Sequence, residues 1–369
     1  MIDNVIIQHD FRYVIQDVQR GVVENERFWV YINDERTEFE CVGKEIVSLG
    51  PWKFEEKNGD IVLKNGSKSI TVKQPSSIMN ADYEVSCLAA TEDGKRALGG
   101  TQGQLKFINS DGKCVEAHDA HYSDILQIQY FPSKQVAMTM GLDYSIKIWS
   151  VLDGSNPRTM RKHTSTLTAL AAIGRGRNIV SGARDGAVYI WECASGKAVW
   201  EFRRVKNLAD PVVGLTVIDT GCPRNEVQQV ADSIFYETEN KTLLVAHESG
   251  VVATYDLETR CSLGEFSAGD RMSAFAANKE LLVTGHSDGT IRCFRGSEKA
   301  WELQGDEEVR KIQISDNKIF CLQRQVAIVD YDGKVESIFS DYYGLNDFCA
   351  IPGSLYVACK SKSVKEISL

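Results

Sequence analysis

Five stretches of the chain repeat one pattern of polar and apolar positions. They span residues 99–109, 140–150, 181–191, 246–256 and 284–294. Each has a polar turn that usually contains glycine, followed by alternating apolar residues and a large apolar residue near the end. Alternation with a period of two is typical of a strand with one face in a core, and glycine suits the positive φ of a tight turn. Each copy therefore predicts a hairpin turn followed by a strand.

The repeats return with a nearly constant period. Two weaker copies follow the five clear ones, and the seven large apolar positions are Ile108, Trp149, Trp191, Tyr255, Phe294, Val329 and Ile367. They are separated by 41, 42, 64, 39, 35 and 38 residues. A period near 40 residues built from short strands indicates a WD40 β-propeller with one four-stranded blade per repeat. We predict an all-β, seven-bladed propeller over residues 81–369, with a surface excursion at residues 207–240 in the long interval.

Residues 1–80 do not follow this period. They contain strand-like stretches such as FWVYIN and SKSITVKQ, which predict a small β-rich N-terminal domain. The last repeat reaches only its third strand at Leu369, so its fourth strand must come from elsewhere. We expect Ser67–Gln74 to supply it, because closing the ring would remove the exposed sheet edges.

Composition and charge narrow the possible functions. Apolar residues make up 43% of the chain, enough for a core, and 42 basic against 51 acidic residues give a net charge of −9, which disfavours nucleic-acid binding. The basic positions between Gly154 and Arg184 are predicted on opposite faces of the disc, so they form no single patch. No apolar run is long enough for a membrane helix, and no secretory signal is visible. Ten cysteines are scattered singly without metal-ligand spacing, which indicates a reducing compartment, the cytoplasm and possibly the nucleus, with no disulfides and no metal site. We also expect a monomer without a cofactor.

Two adjacent repeats share four polar and aromatic residues with identical spacings of 18, 4 and 6. The first set is His121, Thr139, Asp143 and Trp149, and the second is His163, Ser181, Asp185 and Trp191. A serine, a histidine and an aspartate could form a catalytic triad. In a propeller blade, however, these groups can satisfy one another in a hydrogen-bonded chain that ends at the indole N–H. Because the set occurs twice, once with threonine, we predict two structural braces and no catalytic residues.

The same region carries a resemblance to a known family. KIWSVLDGSNPRT (147–159), RGRNIVSGARDG (175–186), WECASG (191–196) and YFPS (130–133) resemble the proteasomal ATPase-associated factor family of WD-repeat proteins. The similarity covers roughly residues 118–200. It implies a chaperone that assembles the base of the 26S proteasome regulatory particle. It also implies that the propeller binds the C-terminal domain of one proteasomal ATPase subunit as its partner.

The repeat itself indicates which face of the disc would bind a partner. The loops leading into each first strand and the turns before each third strand share one face of the disc, and tyrosine and arginine favour binding hot spots there. We predict partner binding by Tyr122, Asp124, Tyr144, Arg184, Glu248, Asp270, Arg271, Asp306, Glu307, Glu308, Asp341, Tyr342 and Tyr343.

Tyr144 stands out because it replaces the glycine of the other turns. The alternatives that remain are a WD40 substrate adaptor or scaffold for a ubiquitin ligase or other complex, and an enzyme with its site in the central channel.

Overall fold

The N-terminal region forms one small sheet with a helix and then four further strands. The structure, a computed structural model, describes residues 1–117, 119–220 and 234–369. The elements before residue 81 are β1 (Val5–Ile7), α1 (Phe11–Gln19), β2 (Asn25–Ile32), β3 (Glu35–Val42), β4 (Glu45–Ser48), β5 (Lys53–Lys57), β6 (Asp60–Asn65), β7 (Lys68–Val72) and β8 (Ser77–Asn80).

From Val85 onward the chain folds into seven antiparallel units in sequence order, which we call blades 1 to 7; blades 1 to 6 take four strands from this region and blade 7 takes three. Strands of a blade are lettered a to d from the ring centre outward. Blades 1 to 3 contain β9 (Val85–Ala90), β10 (Arg96–Gly100), β11 (Leu105–Ile108), β12 (Cys114–Ala117); β13 (Ile125–Tyr130), β14 (Val136–Gly141), β15 (Ser145–Ser150), β16 (Arg158–Arg161); and β17 (Leu167–Ile173), β18 (Asn178–Ala183), β19 (Val188–Glu192), β20 (Lys197–Phe202).

Blades 4 to 7 continue the series. They contain β21 (Val212–Asp219), β22 (Lys241–His247), β23 (Val251–Asp256), β24 (Ser262–Ser267); β25 (Met272–Ala277), β26 (Leu282–His286), β27 (Thr290–Arg295), β28 (Glu298–Gln304); β29 (Lys311–Ser315), β30 (Lys318–Leu322), β31 (Val326–Asp330), β32 (Val335–Phe339); and β33 (Leu345–Ile351), β34 (Ser354–Cys359), β35 (Ser363–Ser368).

The blades form a closed ring. The a strands contact one another in chain order, and β33 of the last blade contacts β9 of the first. Each of the seven large apolar residues that set the repeat lies on a c strand and is buried. This burial explains the period, because every blade must fill the space towards its neighbour with one such side chain. The predicted all-β WD40 propeller class is confirmed.

The last blade is closed by an N-terminal strand, but not by the one we expected. β8 pairs antiparallel with β35, with Ser363 opposite Asn80 and Glu366 opposite Ser77. The expected segment, Ser67–Gln74, instead contains β7, which pairs with β6 and lies parallel to β32 of blade 6. The prediction of Ser67–Gln74 was therefore wrong. The closing strand is Ser77–Asn80.

The N-terminal region contains three strands that join blade 6 and a separate small sheet. β7, β6 and β5 extend the sheet of blade 6 beyond its d strand, and their buried side chains join one core with those of blades 5 and 6. β1 to β4 form a separate sheet covered by α1, whose buried residues Phe11, Val14, Ile15 and Val18 share one face of the helix. The sequence pattern did not predict this helix.

The a strands surround a central channel of about 930 Å³. Side chains lining it form hydrogen bonds from one blade to the next. Lys311 Nζ lies 2.6 Å from Asp347 Oδ1, and Gln313 Nε2 donates to the Ala350 carbonyl at 2.6 Å. Asp347 Oδ2 accepts from the Leu88 N–H at 2.9 Å. These bonds connect blades 6, 7 and 1, so the polar side chains that line the channel help to hold the ring together.

The predicted excursion at residues 207–240 lies partly outside the described residues, which resume at 234. Its described end is attached to blade 3. The Tyr236 N–H donates to Asn178 Oδ1 at 2.6 Å, and Glu237 forms an ion pair with Arg175. In the described parts of the chain, no helix combines the length and apolar character needed to cross a membrane.

Candidate protein-docking site

The two sets of His, Ser or Thr, Asp and Trp form matching hydrogen-bonded chains inside blades 2 and 3. In blade 3, His163 Nδ1 lies 3.1 Å from Asp185 Oδ2, and His163 Nε2 lies 2.7 Å from Ser181 Oγ. The Trp191 indole N–H donates to the same hydroxyl oxygen at 2.8 Å. In blade 2 the corresponding distances are 2.9, 2.7 and 2.9 Å, with Thr139 in the place of Ser181.

These contacts fix the direction of each hydrogen bond in the brace of blade 3. The Asp185 carboxylate fixes the proton of His163 on Nδ1, so Nε2 accepts from the Ser181 hydroxyl, whose oxygen accepts from Trp191. Ser181 has no exposed surface. A substrate therefore has no path to this oxygen, which already accepts a hydrogen bond from the Trp191 indole. This hydrogen-bonded chain acts as a brace that connects the b strand, the c strand and the loop that leads into the a strand, which we call the lead-in loop.

The aspartates of the two braces are held in their charged form. Burial alone would raise the pKa of Asp185, but hydrogen bonds from His163 and from the Thr164 and Ala187 N–H groups lower it far below its usual range. Hydrogen bonds from Ser145 and His121 likewise lower the pKa of Asp143 against the effect of burial. Burial lowers the pKa of His121, which keeps the imidazole neutral. Each aspartate also accepts hydrogen bonds from backbone N–H groups of its own turn and of the lead-in loop, so it holds the turn and the loop together on one face.

Blade 4 carries a different polar network that the sequence pattern did not reveal. Arg204 forms ion pairs with Asp210 and with Glu265, and its side chain is almost fully buried. Asp210 also accepts from the Ser249 N–H at 3.2 Å. This network connects the lead-in loop of blade 4 to the turn before its c strand, as the braces do in blades 2 and 3. Its residues do not keep the spacing of the His-Ser-Asp set, so the repeat gave no signal for them.

The turns before the c strands and the lead-in loops lie together on one side of the ring, which we call the upper face. Tyr122 is 85% exposed there, and Tyr144 is 42% exposed. Asp270, Arg271, Asp306, Glu307 and Glu308 are also exposed, whereas Asp124 is half-buried. Arg184 and Glu248 form an ion pair with an N···O distance of 2.8 Å. The structure thus places most of the predicted docking residues on one accessible face.

Asp341 does not offer a free charge to a partner. Its carboxylate forms an ion pair with Lys365 of β35, and the side chain is only 4% exposed. It also accepts from the Tyr343 N–H at 3.1 Å. Asp341 therefore shapes its loop, and its assignment to the docking surface stays a prediction. The neighbouring Tyr342 and Tyr343 remain about half exposed.

The N-terminal region reaches the upper face beside blades 5, 6 and 7. The Ile2 N–H donates to the Gln304 carbonyl at 2.9 Å, and Gln325 accepts from the Val5 N–H at 3.2 Å. The ring of His9 lies 5.2 Å from that of Tyr342 and 6.3 Å from that of Tyr343. Nothing in the repeat pattern placed this region next to the predicted acidic residues.

The basic positions between residues 154 and 184 are separated as expected. Arg175 pairs with Glu237 at the turn between the a and b strands, while Arg184 pairs with Glu248 on the upper face. Arg177 lies over the Tyr236 ring at 5.0 Å. Among the described residues, no three histidine, cysteine or acidic side chains are grouped as metal ligands would be.

Comparisons with known proteins agree with this architecture. A family model described as "WD domain, G-beta repeat" matches residues 154–192, which include the brace of blade 3. Periodic tryptophan protein 2 of Arabidopsis thaliana is 30% identical over 112 residues, covering 30% of this chain and 11% of that protein. The Denticleless protein homolog of Mus musculus is 22% identical over 194 residues, covering 46% of this chain and 26% of that protein.

A longer match runs through most of both sequences. The 26S proteasome regulatory subunit RPN14 of Saccharomyces cerevisiae is 30% identical over 324 residues, which cover 82% of this chain and 75% of the yeast protein. The match extends far beyond the two braced blades. The chain therefore belongs to the family of WD-repeat proteins that includes RPN14, the proteasomal ATPase-associated factor family.

Proposed function

We propose that this protein is an assembly chaperone for the base of the 26S proteasome regulatory particle. In this role it binds the C-terminal domain of one proteasomal ATPase subunit through the upper face of its propeller, without chemical turnover. The observation that carries the proposal is the RPN14 match over 82% of the chain. The proposed setting is the cytoplasm, and possibly the nucleus, with the protein as a monomer before it meets its partner.

The braces support a binding role because they make the upper face rigid. Each links a lead-in loop to the turn beside it through buried hydrogen bonds. Loops that are already ordered lose little conformational entropy on binding, which favours affinity. The same buried groups are unsuited to catalysis, since their polar atoms are already engaged in hydrogen bonds within the blade. The geometry therefore favours a stoichiometric binder.

The charge of the upper face supports a basic partner surface. Asp306, Glu307 and Glu308 are consecutive and exposed, and within the described residues none lies at ion-pair distance from a cation. Free carboxylates on a rim accelerate encounter with an oppositely charged protein and make that encounter salt-dependent. Tyr342 and Tyr343 lie on the lead-in loop of the next blade. We propose that these residues contact basic side chains of the ATPase domain.

The test is charge reversal of the three carboxylates. A variant with Asp306→Lys, Glu307→Lys and Glu308→Lys should capture less of the ATPase C-terminal domain in a pull-down, and its melting temperature should stay close to that of the wild type. A matched control is Glu55→Lys, Glu56→Lys on strand β5, which keeps its charge change away from the upper face. Normal capture by the triple variant would refute the proposed acidic contact.

Co-purification separates the chaperone role from a scaffold role. A tagged chain should recover free proteasomal ATPase subunits that are not yet in mature particles. Recovery of ubiquitin-ligase subunits in their place would instead favour an adaptor. Recovery of mature regulatory particles alone would contradict an assembly role, because an assembly chaperone leaves the finished complex.

A further inference from the structure

Three large apolar side chains are exposed on adjoining loops at the upper end of blade 2. Tyr122 is 85% exposed, and Leu142 and Tyr144 are each 42% exposed. All three are positioned by the brace, because Leu142 and Tyr144 flank Asp143 in the chain and the Tyr122 N–H lies 3.5 Å from Asp143 Oδ2. The Leu142 N–H donates to the Asp124 carbonyl at 2.9 Å. We call Tyr122, Leu142 and Tyr144 the blade 2 patch.

Blade 3 shows that the brace does not require these side chains. At the positions that match in spacing, 42 residues later, blade 3 carries Thr164, Arg184 and Gly186. Its brace has the same connections, with the Thr164 N–H donating to Asp185 Oδ2 at 2.8 Å. The two blades thus contain equivalent hydrogen-bonded braces but expose different side chains to solvent. The apolar character of the blade 2 patch therefore has no explanation in the folding of its blade.

Tyr144 also occupies a backbone conformation that disfavours side chains. Its φ is +60°, and the matching turn residues are glycine in blades 1, 3, 4 and 5. In those blades a Cβ would meet backbone of the next lead-in loop; at Gly186, for example, it would lie 2.6 Å from the Leu208 carbonyl oxygen. At Tyr144 a complete side chain is accommodated and reaches solvent. A tyrosine in the left-handed region carries a conformational cost that glycine avoids, so its presence calls for a gain elsewhere.

Two cations border the patch. Lys147 Nζ lies 5.9 Å from the centre of the Tyr122 ring and donates to the Ala120 carbonyl. Arg161 pairs with Ser145 across the c and d strands, and its positive charge helps to lower the pKa of Lys147, although burial is the larger cause. Among described residues neither cation has a carboxylate at ion-pair distance. The Asp143 carboxylate acts on Lys147 in the opposite sense to Arg161. An apolar contact with cations beside it complements an apolar side chain flanked by carboxylates.

We propose that the blade 2 patch is the apolar anchor of the docking contact, and that it receives a large apolar side chain of the ATPase C-terminal domain with acidic neighbours. This inference rests on the proposed function and names the part of the upper face that dominates affinity. Exposed tyrosines on rigid loops are typical hot-spot residues because their burial removes much apolar area at a low entropy cost. The acidic residues 306–308 then contact a separate, basic part of the same domain.

The test exchanges blade 2 residues for their blade 3 counterparts. The purified protein is titrated with the C-terminal domain of each proteasomal ATPase subunit in turn. Tyr122→Thr with Tyr144→Gly should weaken binding of the recognised domain at least tenfold, with an unchanged or higher melting temperature. Arg161→Glu should also weaken it, and the loss should shrink at high salt. The control is Leu152→Thr, which alters an apolar residue of the same blade on its opposite face that is 68% exposed.

Each outcome decides one point. Wild-type affinity in the double variant would overturn the anchor while leaving the proposed function intact. If no C-terminal domain binds the wild type, the proposed function fails and the anchor fails with it. Should the double variant melt early, the single Tyr144→Gly variant remains decisive, because it only removes a side chain from a left-handed turn. Equal losses in that variant and in Leu152→Thr would also contradict the anchor.

Discussion

Blades 2 and 3 differ from blades 6 and 7 in how they are held together. Blades 2 and 3 contain the buried chains of His, Ser or Thr, Asp and Trp. In strand register, the position of Ser181 is occupied by Cys321 in blade 6 and by Val357 in blade 7, and both are fully buried. Neither blade has a histidine in its strands. Blades 6 and 7 instead receive strands from the N-terminal region.

The difference shows that a propeller can stabilise a blade from within or from outside. A polar brace stabilises a blade through hydrogen bonds that leave no buried group unpaired. Blades 6 and 7 lack such a brace and gain added sheet area and edge protection from outside the repeat. In this chain the N-terminal region extends blade 6 by three strands and closes blade 7 with one. The N-terminal region is therefore an integral part of the ring.

The largest effect is expected from removal of this support. Deletion of residues 1–80 removes the d strand of blade 7 and the side chains that complete the core of blades 5 and 6. The loss should exceed the roughly 5 kcal/mol by which modest domains are stable, so cooperative unfolding should disappear in thermal scans. A deletion of residues 1–76, which retains Ser77–Asn80, isolates the contribution of the closing strand. An unchanged melting temperature in both truncated chains would contradict this account.

A smaller effect is expected from removing one brace. Ser181→Ala leaves His163 Nε2 and the Trp191 N–H buried without partners, which should cost about 1 to 3 kcal/mol of unfolding free energy. Cys321→Ala, at the matching position of blade 6, removes only one buried sulfur and should cost about 1 kcal/mol. Chemical denaturation measures both. A larger loss for Cys321→Ala would show that the polar brace is not the main stabilising feature of blade 3.

The smallest effect is a difference in acid sensitivity between blades. Burial lowers the pKa of His121, His247 and His286, so the unfolded chain binds protons near pH 6.5 while the folded chain does not. Stability from these groups is present above that pH and is lost as the pH falls. The lowered pKa values of Asp143 and Asp185 add a second loss below about pH 4.

Hydrogen-exchange protection measured at pH 7.5 and 5.5 tests this difference. Protection should fall first in blades 2, 4 and 5, which contain the three histidines, and later in blades 6 and 7. A uniform fall in protection around the ring would contradict the prediction. His247→Gln should reduce the fall in blade 4 while leaving that in blade 2 unchanged.

Features with a repeated side-chain pattern were predictable from the sequence. The c strands could be located because each must place a large apolar residue in the core. The braces could be located because their members need fixed spacings to meet. Tyr144 was noticed because it breaks a pattern of glycines, and the structure shows its left-handed backbone. The network of Arg204, Asp210 and Glu265 was missed because it occurs once and its members come from separate loops.

The closing strand was misplaced for a physical reason. Ser77, Ile78 and Asn80 are exposed, because β8 is an outer strand, so its sequence shows no core-facing alternation. The segment chosen in its place does alternate, with Ile70 and Val72 buried, because it belongs to the core beside blade 6. Alternation reports burial and not the identity of the neighbouring strand. Pairing between distant segments leaves no local trace in the sequence.

The pairing of β8 with β35 has a consequence for how the protein is made. Ser77 and Glu366 touch through their side chains although 289 positions separate them. Contacts over such distances form late and slowly, and translation delivers the chain from the N-terminus at about 5–20 residues per second. The ring must therefore stay open on the ribosome until β35 has been synthesised. During that time β8 has no partner strand. A chain whose synthesis stops within the last blade would therefore expose unpaired strand edges, which favour aggregation.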